Sequence, residues 1–337
     1  SQARSSFSPL YGPNGLKKNL ACAALNSPRL LAGLAKAGIS LQGLHVLPVH
    51  SGLRLKLGLL EKQEDPALSR NKGTEMWPQK KQATASLSYF TGCFARHIQP
   101  SILAATQALL STCKMPAAHI PQEQHCCGLA AWSTGKREQA RELARKNIRA
   151  FSGTKGPIIS SCASCSSHLL AYPKLFSEHD SCYSKAVAFA DRVREFTTFF
   201  DAELSLSPCT GKPSRQPEQR IFYHDPCHLR FRDKGMSAPR SLLKKIGVHI
   251  LEPEKGPRCC GQGGLFHIAC PEDSAKIFQK SSEQALSDSP DCITSTCSGC
   301  LMQFQEGTAQ QGRQGRVVHL AILLADCPAP DSLDLQE

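Results

Sequence analysis

No stretch of the 337 residues approaches the ~18–20 uninterrupted apolar side chains of a membrane-spanning helix; the richest segment, 30–41, is broken by Lys36 and by glycines. No spanning helix is therefore expected. No apolar core follows Ser1, so no secretory leader is expected in these residues, which suit a chain that begins inside a longer protein. Acidic residues are also few, 28 against 40 basic, and the formal net charge of +12 suits nucleic acid, an anionic membrane face or an acidic protein. Bound thiolates would lower that figure, so charge alone selects no partner. Apolar residues are not scarce. At 41% hydrophobic and 20% charged the chain is not mostly disordered, and its length suits two domains at roughly 150 residues each.

What is abundant is cysteine. There are 17, and they are patterned: Cys126-Cys127-Gly128 and Cys259-Cys260-Gly261, the pairs Cys162/Cys165 and Cys297/Cys300, and a single Cys93 or Cys227 ahead of each triplet. The lone cysteines lie 134 residues apart, the triplets 133 and the pairs 135, so five cysteines recur in one order at a nearly constant offset. Arg192-Val193-Arg194-Glu195-Phe196 resembles Arg316-Val317-Val318-His319-Leu320 at an offset of 124, as a deletion of 11 residues would produce. The chain reads as a tandem duplication.

Several chemistries use cysteine at this density. A secreted disulfide framework belongs to shorter chains, and adjacent cysteines pair poorly with each other. Structural zinc wants four ligands in closed tetrahedral spacing, usually from two short pairs, whereas each unit offers five. A thioredoxin-like dithiol accounts for the Cys-x2-Cys pairs and not for the other six cysteines. An iron–sulfur cluster in each unit accounts for all ten, because soft thiolates suit it and it is large enough to be held from three loops. Cys22, Cys113, Cys182, Cys209, Cys270, Cys292 and Cys327 remain, each expected to be a buried free thiol.

The cysteines fall at the joints of an alternating pattern. Strands are predicted over 85–90, 118–121 and 157–160 in the first unit, and over 221–223 and 291–294 in the second. Helices are predicted after Pro100, over 136–151, from near Pro239 to Gly247, and from Pro271, whose first turn carries Glu272 and Asp273. Strand, cysteine loop and helix in succession place five thiols at the carboxyl ends of adjacent strands, with helix N-termini facing them. The glycine after each Cys-Cys suits positive φ or close backbone approach. Gly261-Gln262-Gly263-Gly264 follows thiols, not a strand, and is no dinucleotide fingerprint. His125, His224 and His228 are candidate donors beside a cluster, or solvated loop histidines; Asp225-Pro226 reads as a turn and Trp132 as core or interface.

The expected organisation is a helical extension and linker (1–84), a first domain (85–204), a linker (205–219), a second domain (220–327) and a tail (328–337). The extension, with Leu30, Leu31, Leu34 and Leu44 beside Lys36, Arg54 and Lys56, reads as short amphipathic helices that cover the units or dock a partner, and the basic helix 136–151 is a second candidate docking face.

The pattern Cys93-x32-Cys126-Cys127-Gly128-x33-Cys162-x2-Cys165, then Cys227-x31-Cys259-Cys260-Gly261-x35-Cys297-x2-Cys300, resembles the duplicated cysteine-rich CCG domain. Iron–sulfur subunits of glycolate oxidase, lactate-utilisation and anaerobic glycerol-3-phosphate dehydrogenase complexes carry it, as does the B-type subunit of heterodisulfide reductase. Tyr223-His224-Asp225-Pro226-Cys227-His228 and Cys300-Leu301-Met302-Gln303 are most similar to the glycolate oxidase subunit. The resemblance implies an α/β fold of two αβ domains behind a helical extension. It implies a 4Fe–4S-type centre, cubane or non-cubane, in each repeat, with all ten patterned cysteines as its ligands and no catalytic residue in the chain alone. The implied role is to relay electrons from an FAD-binding glycolate or D-lactate dehydrogenase subunit, with a ferredoxin-like region or subunit as the onward carrier. That region's Cys-x2-Cys-x2-Cys-x3-Cys-Pro run is not in these residues. No nucleic-acid partner is implied, membrane contact is at most peripheral through the complex, and the location is cytoplasmic or at the inner face of the cell membrane. Both final pairs are complete, where glycolate oxidase subunits often lack one in the first unit. The alternative is thus a protein like the B-type subunit of heterodisulfide reductase, which cleaves a disulfide at a non-cubane cluster.

Overall fold

The computed structural model describes residues 15–42, 86–204, 219–312 and 315–326. The charged stretch 61–81, residues 205–218 of the expected linker 205–219, the tail, Cys209 and Cys327 lie outside these residues, as do Leu44, Arg54 and Lys56. Two helices come first, α1 (Gly15–Asn26) and α2 (Pro28–Gln42). The first repeat then runs β1 (Ser88–Phe90), α3 (Gly92–His97), α4 (Ser101–Thr112), α5 (Leu129–Ser133), α6 (Arg137–Ala150), β2 (Ile158–Ser160), α7 (Ala163–Leu170), α8 (Tyr183–Ala190), β3 (Val193–Glu195) and α9 (Phe196–Glu203). The second runs β4 (Arg220–Tyr223), α10 (Ser237–Lys245), β5 (His249–Leu251), α11 (Phe266–Ala269), α12 (Pro271–Leu286), β6 (Cys292–Ser295), α13 (Ser298–Gln310), β7 (Arg316–His319) and α14 (Leu320–Ala325).

Each repeat is an α/β unit around a parallel sheet, ordered β1-β2-β3 in the first and β5-β4-β6-β7 in the second. The strands are short, and β1, β2 and β6 are buried along their whole length, as parallel strands covered on both faces are. The predicted strand at 118–121 is a single bridge, Ser88 to His119. Its duplicate is a full edge strand, β5, which no sequence pattern announces because His249 is exposed and Ile250 and Leu251 are only half-buried. The predicted helix 136–151 is α6, and its stripe of Ala140, Leu143, Ala144 and Ile148 is buried.

The two repeats share one core. Leu103, Leu109 and Leu110 of α4, Phe196, Phe199 and Phe200 of α9, Leu242 and Leu243 of α10, and Leu320, Leu323 and Leu324 of α14 meet in one cluster, with Tyr89 of β1 and Tyr223 of β4. Helix α4 packs on α14 and α9 on α10, so each pair joins one helix from either repeat. At about 1.5–3 kcal/mol for each large apolar side chain withdrawn from water, this shared layer holds the repeats in a fixed relation. Equivalent residues cap α9 and α14. Glu195 Oε2 accepts from Thr197 N (2.8 Å) and Thr198 N (3.1 Å), and His319 Nδ1 accepts from Ala321 N (3.0 Å). Helix α1 packs on α5 and α11, one from each repeat, and Cys22 is buried there with Leu143 and Leu265. Within residues 15–42, then, the extension covers the units.

Candidate metal centres

The site is built from loops at the carboxyl ends of the strands. Cys93 follows β1 and Cys162 follows β2; Cys227 follows β4 and Cys297 follows β6. Cys162 and Cys297 are the N-cap residues of α7 and α13, where unpaired amides favour negative sulfur. Each triplet folds back on its own amides. Gly128 N–H reaches the Cys126 sulfur and Leu129 N–H that of Cys127; Gly261 N–H (3.4 Å) and Gln262 N–H do the same for Cys259 and Cys260. This turn needs left-handed backbone, φ 93° at Gly128 and 86° at Gly261. A Cβ on Gly261 would stand 2.6 Å from Ser274 O on α12.

Different polar side chains hold the loops in the two repeats. In the first, Gln124 Oε1 accepts from Thr91 N (3.0 Å), Asn147 Nδ2 donates to Cys126 O (3.0 Å), and Tyr172 OH donates to Cys127 O (2.8 Å). In the second, Asp225 is an ion-pair partner as well as a turn residue. Both its oxygens accept from Arg240 at 2.8 Å, and Arg240 also binds Glu252. Ser274 Oγ donates to Gly261 O (3.1 Å).

The ten patterned sulfurs converge. In the first repeat hydrogen-bonding contact runs Cys93–Cys126–Cys127–Cys165–Cys162, and in the second it runs Cys227–Cys259–Cys260–Cys300–Cys297 in the same order. The Cys260–Cys300 sulfurs are 3.2 Å apart. The chains of sulfur meet at Cys162 and Cys297, which also touch. Sulfurs this close cannot all ionise. Cys126, Cys162 and Cys259 are held below the ordinary thiol value, chiefly because the neighbouring thiols Cys127, Cys165 and Cys227 donate to them; Cys259 is pulled down to about 2. Cys93 and Cys127 are pushed up by Cys126, Cys165 by Cys127, Cys227 and Cys260 by Cys259, Cys300 by Cys260, and Cys297 to about 11 by Cys162.

The surroundings fit a group that accepts hydrogen bonds and neutralises thiolate. His168 Nε2, His224 Nε2, and Arg230 Nε and Nη2 are buried with no hydrogen-bond partner. His168 lies near Cys126, and a ring nitrogen of His224 lies with the Cys260 and Cys300 sulfurs inside a 4.8 Å span. Burial pushes both imidazoles down to about 4, so they are neutral. Arg230 is close enough to His224 to add to that effect. A polynuclear metal–sulfur group would relieve the sulfur repulsion and give the His168 and His224 nitrogens an acceptor.

Residues 87–170 and 221–305 match the family described as CCG, cysteine-rich domain. The chain belongs to that family. The chain is 30% identical over 261 residues to a protein of Bacillus subtilis (strain 168) named a probable glycolate oxidase iron–sulfur subunit, covering 74% of this chain and 55% of that one. Lactate utilization protein A of Geobacillus sp. (strain WCH70) is 29% identical over 205 residues, 60% of this chain and 84% of its own. The D-type subunit of dihydromethanophenazine:CoB–CoM heterodisulfide reductase from Methanosarcina barkeri (strain Fusaro) is 31% identical over 233 residues, 66% of this chain and 54% of its own. The chain thus spans about half the length of the first and third of these relatives.

Within the CCG repeats all ten patterned cysteines are brought together. The other described cysteines are free and stand apart from the ten; Cys22 and Cys292 are buried as expected, whereas Cys113, Cys182 and Cys270 are only half-buried because they sit at helix ends. Of the candidate histidines, His224 faces the second pocket and His228 Nδ1 lies 3.8 Å from Cys227 Sγ. His125 instead bonds Glu123 O through Nδ1 at 2.7 Å. Trp132 packs at the join between α1, α5 and the first repeat's core. The basic face of α6 is partly engaged, with Arg141 on Leu175 O and Arg145 on Asp180. Sequence reasoning missed His168 and Arg230. His168 has Gln303 at its duplicate position, so the repeat did not flag it, and Arg230 lies in a loop with no periodicity.

Proposed function

We propose that the chain is the iron–sulfur, electron-carrying subunit of an oxidoreductase, with one cluster in each repeat held by Cys93, Cys126, Cys127, Cys162 and Cys165 and by Cys227, Cys259, Cys260, Cys297 and Cys300. The observation that carries this reading is the unbroken run of ten sulfurs from Cys93 to Cys227 through the Cys162–Cys297 contact. Such clusters, when bound, accept and release single electrons, so two of them side by side can divide the electron pair that a reduced flavin delivers. The protein's own part is electrostatic: the amides paired with each Cys-Cys favour negative sulfur, and buried neutral His168 and His224 stand beside it as donors. On this reading the donor is an FAD-bearing 2-hydroxy acid dehydrogenase, for glycolate or D-lactate, and the acceptor a ferredoxin-like carrier; relatives named for glycolate oxidase and lactate utilization support the substrate class. No described helix is long and apolar enough to cross a membrane.

The test is iron and acid-labile sulfide analysis of anaerobically purified chain. Both are expected in the wild type and reduced in Cys127→Ser and Cys260→Ser. Zinc without sulfide would overturn the reading. A second reading, disulfide cleavage, is favoured by the exposure of Cys227 and Cys259 and by the completeness of both pairs. It predicts a new thiol-dependent paramagnetic signal in oxidised protein, which a simple relay lacks.

A further inference from the structure

We propose that Ser164 and Ser298 tune the two centres crosswise, the hydroxyl carried by each repeat setting the reduction potential of the centre held by the other. The proposal rests on the iron–sulfur reading above. Ser164 lies between Cys162 and Cys165 of the first repeat, yet its Oγ is 3.1 Å from the Cys297 sulfur of the second. Ser298 lies between Cys297 and Cys300 of the second repeat, and its side chain bonds the Cys162 sulfur of the first. The exchange is not a relic of duplication. The position equivalent to Ser298 is Ala163 and the one equivalent to Ser164 is Gly299, so each hydroxyl arose at a different place in its loop.

Two further bonds hold the loops in this exchange. Ala163 N donates to Thr296 O at 2.9 Å, and His319 Nε2 donates to Ser161 O at 2.8 Å. The direction of the hydroxyl protons follows from the partners. Ser164 Oγ also lies 3.1 Å from His228 Nδ1. A metal-bound thiolate has no proton to give, so the hydroxyl donates to sulfur and His228 meets the hydroxyl oxygen through Nδ1–H. An O–H bond to a thiolate withdraws charge from sulfur and favours the reduced centre. Ser298 is only 9% exposed, where such a bond is weakly screened.

Ser298→Ala and Ser164→Ala in the full chain test this, since the duplicate positions already tolerate small side chains. Anaerobic redox titrations are followed by electron paramagnetic resonance, with the signals assigned by Cys93→Ala for the first centre and Cys227→Ala for the second. Ser298→Ala is expected to lower the midpoint of the first centre by the equivalent of a tenfold change in its oxidised-to-reduced ratio, about 59 mV for one electron, with the second unmoved. Ser164→Ala gives the mirror result, and Ser298→Thr, which keeps the hydroxyl, restores the wild-type midpoint. A shift in the serine's own repeat, equal shifts in both centres, or no shift overturns the proposal, as does loss of a centre that the threonine variant fails to restore. Wild-type chain that takes up no iron overturns the iron–sulfur reading and this proposal with it.

Discussion

The first pocket and the second hold the same five sulfurs in the same order, yet their surroundings differ in charge and exposure. The first is closed: four of its cysteines are buried, Leu25, Pro28 and Leu31 of α1 and α2 border it beside Cys93, and neutral Gln124 and Asn147 hold its loops. The second is open, with Cys227 and Cys259 exposed and Phe231, four residues after Cys227, 89% accessible, and a buried ion pair holds its loop. Duplication thus conserved the sulfur geometry, which the strand ends and the Cys-Cys-Gly turns dictate, and left the second layer free to diverge. If each pocket holds one cluster, as proposed, these unlike electrostatic settings would give the two unequal potentials, which is what a directional relay requires.

The sharpest way to break the comparison is at the loop anchors. Asp225→Asn removes one partner of the buried pair with Arg240, and chemical denaturation should show a loss of about 3 kcal/mol. Gln124→Ala, its counterpart in the first pocket, removes neutral hydrogen bonds and should cost about 1–2 kcal/mol. Equal losses would mean that charge does not distinguish the two anchors.

The equivalent caps Glu195 and His319 should respond to pH in opposite directions. Burial raises the Glu195 carboxyl, so the folded chain binds its proton more tightly; that contribution is present in acid and is lost as pH rises through the raised value. Burial lowers His319 to about 4, so the folded chain favours the neutral ring; its contribution, up to about 3 kcal/mol, is present above the ordinary histidine range and is lost as pH falls from there toward 4. Stability curves of Glu195→Gln and His319→Gln against pH should differ from wild type at opposite ends.

A smaller contrast lies in the turns. Gly128→Ala and Gly261→Ala both incur the left-handed penalty of about 1–2 kcal/mol, and only the second also meets a backbone oxygen at 2.6 Å. Its melting temperature should fall further, and iron should be lost from the second pocket first. Smallest of all, Phe231→Ser should leave stability within about 0.5 kcal/mol, because that ring covers nothing.

Much of this architecture was legible from spacing alone. The offsets among the cysteines gave the repeat, and Ile158-Ile159-Ser160 ahead of Cys162 or Asp291-Cys292-Ile293-Thr294 ahead of Cys297 gave strands that end at the thiols. Less visible were features whose cause is tertiary. The edge strand β5 has little apolar pattern because one side is solvated, and 118–121 has a strand-like pattern yet forms one bridge. His168 lies on α7 among Trp132 and Tyr172, and nothing in its local sequence tells a pocket-facing ring from a core one. The crossing of Ser164 and Ser298 depends on how two repeats meet, which no local pattern encodes.

The interleaving of α4 with α14 and of α9 with α10 bears on how such a chain arose. A gene encoding a single unit would leave the inner faces of two helices bare. Helices α4 and α10 occupy duplicate positions, as do α9 and α14, so the two contacts are one contact made twice, and two copies of a single unit can cover those faces in the same way across an isologous interface.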